Sequence, residues 1–205
     1  MARIFLLLLI ALVCTPAALA QDYSRYEFYV GYAYEKANNS ADQFDRNASA
    51  TINGNRVDLV SKREGYNGFA VEFNQNVTSH IGIVTSFSGT YGTTGYRDQL
   101  SGRTFNARVS RYTFLAGPRY NWRTSSVTPF AHALFGFSNV RANFNSPNCT
   151  TPKSRTGFAM VFGAGLDVNA GEHIDVRAIQ VDYLPIFIDG KRQDNVRASA
   201  GIKIK

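Results

Sequence analysis

The clearest pattern in the chain is a two-residue alternation over Thr156–Val168, TGFAMVFGAGLDV. One face of this segment carries large apolar side chains, and the other carries small side chains and a carboxylate. The two faces are Phe158, Met160, Phe162, Ala164, Leu166 and Val168 against Ala159, Val161, Gly163, Gly165 and Asp167. A period of two is that of a β-strand, and a narrow barrel in lipid needs bulky groups outside and small or polar groups inside. The segment therefore predicts one strand of a small membrane-spanning β-barrel.

The same alternation recurs along the chain and predicts eight strands in all. The other alternating segments are Tyr26–Lys36, Tyr66–Asn74, His80–Tyr91, Arg108–Trp122, Pro129–Phe137, a strand that begins at Asp175, and Val196–Ile204. Tyrosine and phenylalanine gather toward the ends of these segments. Aromatic residues at strand ends are typical of the interfacial girdles of membrane proteins.

The connections between these strands alternate between long and short. The four long ones are Lys36–Gly65, Gly92–Asn106, Asn139–Arg155 and Pro185–Asp194. In the first, Asn53-Gly54 is a hairpin signal and indicates a ribbon over Ala50–Val60. Membrane barrels have short periplasmic turns and long exterior loops, whereas a soluble ligand-binding barrel, the open alternative, has no reason to separate its loops in this way. We therefore predict an all-β fold, an eight-stranded antiparallel up-and-down transmembrane β-barrel.

Two positions break the pattern. Pro118 lies on the outward face of its strand, and because proline cannot donate to a ladder, it predicts a bulge or strain there. In the seventh strand the polar side chains change from odd-numbered to even-numbered positions. Asp175 and Arg177 are odd, and Gln180 and Asp182 are even. A charge against acyl chains costs about 2–4 kcal/mol near the midplane. We therefore predict a β-bulge near Ala178 and Ile179 that keeps these groups inside.

The amino terminus has the features of a secretory signal peptide. Arg3 precedes an apolar run over Ile4–Val13, and Ala18-Leu19-Ala20 is a small-x-small cleavage site. A run of this length is too short for a spanning helix, which needs roughly 20 residues. We predict that residues 1–20 are cleaved and that residues 21–205 form one outer-membrane barrel domain.

The formal net charge of +7 bears on the choice of partners. An exported chain rarely meets nucleic acid, so its basic balance points instead to anionic lipopolysaccharide or acidic glycans. We predict outer-membrane lipid and lipopolysaccharide as partners, and no nucleic acid.

The inward positions of the predicted strands collect charged side chains. They are Glu72, Arg111, Arg119, His132, Asp167, Arg177, Asp182, Arg197 and Lys203. Eight strands enclose too little space for an open channel, and charges held together in a narrow core pair with one another. We interpret these residues as a polar and ion-pair network that plugs the lumen. A narrow or gated porin-like channel that carries protons or ions stays open as the alternative.

Candidate enzyme chemistry is sparse. The sequence has no G-x-S-x-G, H-E-x-x-H, P-loop or paired C-x-x-C motif, and we predict no catalytic, cofactor or metal residues. His80 and His173 fall in predicted periplasmic turns, which leaves the lumenal His132 as the one candidate for a rim-acting lipid A hydrolase. Loss of Cys14 with the signal peptide leaves Cys149 alone, so no intrachain disulfide is possible in the mature chain.

Several strand segments together carry a family resemblance. They are YVGYAY, GFAVEF, YTFLAGPRY, PFAHALFGF, FGAGLDV, VRAIQVDY and VRASAGIKI. From Tyr26 to Lys205 the chain resembles the outer-membrane β-barrel family built like the eight-stranded transmembrane domain of outer-membrane protein A. One departure is that members usually finish on an aromatic residue, whereas this chain ends Ile204-Lys205.

The resemblance carries implications for location and role. It implies a bacterial outer-membrane location and assembly by the outer-membrane insertion machinery. It also implies a non-enzymatic structural or surface-interaction role without a cofactor, in which the exterior loops meet a host or surface ligand.

Overall fold

The computed structural model describes residues 23–38, 57–59, 63–98, 102, 104–144, 153–188 and 190–205. These residues form nine strands and no helix long and apolar enough to cross a membrane. The strands are β1 (Tyr26–Asn38), β2 (Val57–Leu59), β3 (Arg63–Asn76), β4 (Ile81–Asp98), β5 (Thr104–Asn121), β6 (Val127–Phe144), β7 (Lys153–Asn169), β8 (Ile174–Ile188) and β9 (Lys191–Ile204). The predicted signal peptide lies outside the described residues and stays a prediction.

The sheet closes on itself. Its order is β2-β4-β3-β1-β9-β8-β7-β6-β5, and a further antiparallel pairing of β4 with β5 joins the two sides. In the described part of the chain, the short β2 pairs with the far end of β4 alone, so the closed wall consists of the other eight strands. The predicted eight-stranded antiparallel barrel is confirmed.

The outer wall of the barrel is apolar and its interior holds the charges. Phe158 and Phe162 on β7 are 50% and 48% exposed, whereas Asp167 of the same strand is 2% exposed. The same division holds for the alternating residues of the other barrel strands, so their predicted facing is confirmed. An exposed apolar wall around buried charge is the arrangement that a hydrocarbon solvent favours.

The predicted β-bulge in β8 is present. The pairing of β8 with β9 shifts register between Arg177 and Gln180, and the pairing with β7 shifts between Leu166 and Asp167. Ala178 and Ile179 both lie on the exposed outer wall. The extra outward residue keeps the polar side chains on both sides of it inside the barrel.

Two of the predicted long loops are wrong. Pro185–Asp194 is not a loop, because β8 continues to Ile188, β9 starts at Lys191, and Gly190 between them has φ +76°. Gly92–Asn106 likewise belongs mostly to β4 and β5. Polar residues misled the prediction because the strands extend past the membrane into water, where polar strand residues are stable. Most of the two remaining loops, with Cys149 and the Asn53-Gly54 turn, lies outside the described residues.

Two prolines interrupt the strand pairing without shifting it. Between β5 and β6 the pairs stop at Ala116 with Phe135 and resume in the same register at Arg119. The two missing rungs lie at Gly117 and Pro118, because proline has no N–H to donate. Pairing of β7 with β8 is interrupted in the same way at Pro185. The bulge predicted as one outcome at Pro118 is therefore absent.

Candidate functional site: the charged lumen and the exterior rim

The centre of the lumen is a cluster of buried ion pairs around Glu72. The Glu72 carboxylate on β3 accepts hydrogen bonds from Arg119 Nη2 on β5 and Arg177 Nη1 on β8, each at 2.6 Å. Arg177 also donates through Nε to Asp167 on β7 at 2.7 Å. These side chains are at most 2% exposed, so each charge depends on its partners and not on water.

A glutamine connects this cluster to a second one. Gln180 Nε2 donates to Glu72 Oε1 and to Asp182 Oδ2, both at 3.0 Å. Asp182 accepts from Arg197 Nη2 at 2.6 Å and lies 3.0 Å from His132 Nε2. Gln180 was predicted to lie inside but was not assigned to the network, because that prediction was made for charged and titratable side chains alone.

The network continues to the end of the lumen that holds the short turns. Lys203 on β9 lies 2.9 Å from Asp167 and 2.8 Å from Asp175. Glu27 on β1 pairs with Arg123 at 2.9 Å. Glu27 lies within the predicted first strand and shares the inward parity of Tyr29, but it was not included among the inward charges.

The remaining predicted residue, Arg111, lies apart from the others. Its Nη1 pairs with Glu35, which also accepts a hydrogen bond from the Thr90 hydroxyl at 2.9 Å. The structure therefore brings the predicted lumenal residues into one connected network except for Arg111. Glu35 has the inward parity of Ala33 in the predicted first strand, but its partner across the lumen could not be read from strand parity.

Aromatic rings fill the space beside the central arginines. The Arg177 guanidinium lies 4.0 Å from the Tyr29 ring centre and 4.5 Å from that of Phe130, and Arg119 lies 4.1 Å from Phe130. A guanidinium over an aromatic face is worth about 2 kcal/mol when desolvated. The rings and ion pairs together occupy the middle of the lumen.

The half of the lumen nearer the exterior end is lined differently. Its aliphatic residues belong to one cluster with most of its members on β5 to β8, and buried polar residues such as Thr90, Thr113 and Gln193 lie at the same end. This cluster includes Val109, Leu115, Leu134, Val140, Val161, Leu184 and Ile186. A predominantly small and polar interior was predicted, and for this half that prediction is wrong.

The exterior rim carries exposed arginines on neighbouring strands. Arg97 on β4, Arg108 on β5 and Arg141 on β6 have exposed side chains on the outer face, beyond the hydrogen-bonded tyrosines Tyr91 and Tyr112. In the register of β5 against β6, Arg141 lies opposite Ser110, which is two residues from Arg108. Arg108 and Arg141 are therefore diagonal neighbours on the same face of the sheet.

Acidic groups described at the exterior end are less exposed than these arginines. Glu64 is half-buried, and the half-buried Asp194 pairs with Arg192 at 3.0 Å. Among the described side chains, the exposed charge of this end is therefore basic.

The structure places the other candidate histidines away from the rim. His80 and His173 lie in the short turns between β3 and β4 and between β7 and β8, and both are exposed. His80 stacks on Tyr120 with ring centres 5.8 Å apart. Within the described residues, acidic, cysteine and histidine side chains form no group of three that could hold a metal ion.

Solved structures of other outer-membrane barrels are similar in fold. Neisserial surface protein A (NspA) aligns with a TM-score of 0.57 and 13% identity, over 89% of this chain and 97% of that chain. Ail, the attachment invasion locus protein of Yersinia pestis, gives 0.53 and 18%, over 87% and 97%. Ail in complex with the heparin analogue sucrose octasulfate gives 0.51 and 18%, over 88% and 99%. At these identities the likeness concerns the fold alone.

Sequence comparison gives the family. No curated protein matches the chain. The profile of the outer membrane protein beta-barrel domain matches residues 5–203, which is nearly the whole sequence. Together with the closed barrel and its apolar outer wall, this match shows that the chain belongs to the family of outer-membrane β-barrel proteins and is located in the bacterial outer membrane.

Proposed function

We propose that this protein is a non-enzymatic surface protein whose exterior end binds polyanionic sugars. The observation that carries the proposal is the row of exposed arginines at the rim, Arg97, Arg108 and Arg141. Guanidinium groups bind sulfate and phosphate oxygens with paired hydrogen bonds. The complex of the similar protein Ail with a heparin analogue supports this class of ligand.

Binding of immobilised heparin tests the proposal. The double variant R108Q/R141Q removes two rim charges, and exposed pairs contribute up to about 1 kcal/mol each, so we expect about a ten-fold rise in Kd near 0.15 M ionic strength. The matched control is R25Q, which removes an arginine at the opposite end of the barrel. Equal binding by the wild type and the double variant would contradict the proposal.

Lipopolysaccharide offers phosphate groups with the same chemistry, so it is the second arm of the experiment. Binding to liposomes that contain lipopolysaccharide is compared with binding to soluble heparin for the same variants. A loss confined to liposomes assigns the arginines to membrane sugars, and a loss confined to heparin assigns them to soluble glycans.

We further propose that the lumen does not conduct, because ion pairs and rings fill its centre around Glu72 and Arg177, and each described charge there has a buried partner. Planar-bilayer recording of the purified protein should show no ion steps. Regular steps would favour the alternative, a narrow or gated channel.

The remaining parts of the proposal concern export and lipid chemistry. The mature protein should begin at Gln21, which amino-terminal sequencing of the membrane-inserted form measures. Depletion of the outer-membrane insertion machinery should leave the protein unfolded in the periplasm. Overexpression should leave lipid A unchanged, and a newly deacylated lipid A would favour the rim hydrolase instead.

A further inference from the structure

The two proline interruptions of the barrel wall differ in what covers them. Pro185 is buried, and the register of β7 against β8 puts Met160, a long flexible side chain, across from it. Pro118 is exposed, and the register of β5 against β6 puts Ala133 across from it. At one of these two interruptions, which we call seams, the proline is therefore covered, and at the other it is exposed.

The open seam is a groove on the outer wall. Its volume is about 440 Å³. It is lined by the outward residues Ile81, Pro118, Tyr120, Ala131 and Ala133, and by Arg119 and His132, whose side chains are buried. A hollow forms here because alanines and a proline stand where neighbouring outward positions carry large side chains, such as Phe135 and Phe162. Volumes of 300–1,000 Å³ are typical of sites that hold small ligands.

The groove lies in the periplasmic half of the membrane. Pro118 is four residues from Trp122, where the short turn between β5 and β6 begins. At about 3.3 Å per residue along a tilted strand, this separation puts the groove about 10 Å from the turn, within an apolar band about 25 Å tall. Short turns are periplasmic, so the groove faces the inner leaflet of the outer membrane.

We propose that this groove binds an acyl chain of a phospholipid from the inner leaflet. A void against lipid loses packing contacts unless a flexible apolar group fills it, as Met160 is positioned to do at the other seam. Its outward lining is apolar apart from the tyrosine hydroxyl, which matches a hydrocarbon chain. A second protein copy would need roughly 800 Å² of matching surface per partner, whereas the hollow spans only three strands.

Native mass spectrometry of protein extracted from membranes in mild detergent tests the proposal. A133M should fill the groove with the side chain found at the other seam. We expect the wild type to retain a phospholipid adduct and A133M to retain it at an occupancy at least about ten-fold lower. A200M, which adds the same side chain on the outer wall of β9, is the matched control and should behave as wild type.

Fluorescence gives a second readout within a bilayer. The chain has one tryptophan, Trp122, whose ring centre lies 4.6 Å from that of Tyr120 at the groove. In bilayers that contain phospholipid brominated on the acyl chains, quenching of Trp122 should be stronger in the wild type than in A133M. Heat-modifiable gel mobility reports whether each variant folds, and A131M replaces A133M if the latter does not.

Three outcomes would overturn the proposal. One is equal adduct retention by the wild type and A133M, and another is equal loss from A133M and A200M. The third is a dimer of the wild type that A133M abolishes, because the groove would then be covered by a second copy of the chain.

Discussion

The two halves of the lumen are closed by different chemistry. Toward the short turns, Glu72, Arg177 and Asp182 belong to a continuous network of ion pairs. Toward the exterior end, an aliphatic cluster packs the interior beside uncharged polar side chains, and one ion pair, Arg111 with Glu35, stands apart. The side chains of both halves are buried, so a narrow barrel can close either by pairing charges or by packing apolar groups. The two halves should respond differently to mutation.

The largest expected effect is in the charged half. E72A removes the carboxylate shared by Arg119 and Arg177 and leaves two guanidinium groups buried without it. We expect a loss of about 3–5 kcal/mol in the free energy of unfolding. Urea unfolding of the barrel in detergent micelles measures it. E172A, in an exposed turn, is the control, and a loss below about 1 kcal/mol for E72A would mean that water compensates the arginines.

A somewhat smaller effect is expected in the aliphatic half. L184A removes a fully buried side chain and leaves a cavity, because the surrounding strands are held by their ladders. The expected loss is about 2–4 kcal/mol in the same unfolding measurement. The outward variant V181A on the same strand is the control. If both variants lose equally little, the aliphatic lumen is loosely packed.

The smallest net effect is expected for the isolated pair. R111M alone leaves the Glu35 carboxylate buried without its arginine and should destabilise the barrel by about 3 kcal/mol. The double variant R111M/E35M replaces both charges by apolar groups of similar length and should return to within about 1 kcal/mol of the wild type. A double variant as unstable as R111M would show that this pair is required for folding and not merely tolerated.

Strand parity explains how much the sequence could predict. Alternation identified the outward face of each barrel strand, and the parity change around Ala178 and Ile179 located the bulge, because charge cannot face lipid. Alternation could not identify the aliphatic lining at Leu184 and Ile186, where both faces of β8 are apolar. It also gives no distances across the lumen, so the partners of Arg111 and the linking role of Gln180 required coordinates.

Loop prediction failed where polarity and turn chemistry disagreed. The segment from Pro185 to Asp194 was interpreted as a loop because its second half is polar. Asp189-Gly190 is a strong two-residue hairpin signal, and β8 and β9 do continue to either side of it. A turn signal depends on the local sequence and is therefore readable outside the membrane as well. The alternation of apolar and polar residues is lost where both faces of a strand meet water.

The bulge in β8 is the place where this strand holds one residue more than a regular alternation needs. Ala178 and Ile179 both point outward, between the inward residues Arg177 and Gln180. Deleting one of the two outward residues would leave a regular strand in which Asp182 still lies inside. Deleting Val181 instead, with the bulge in place, would put Asp182 against hydrocarbon and Tyr183 inside. Evolution can therefore lose a residue at the bulge, whereas a loss elsewhere in the strand turns the rest of it inside out.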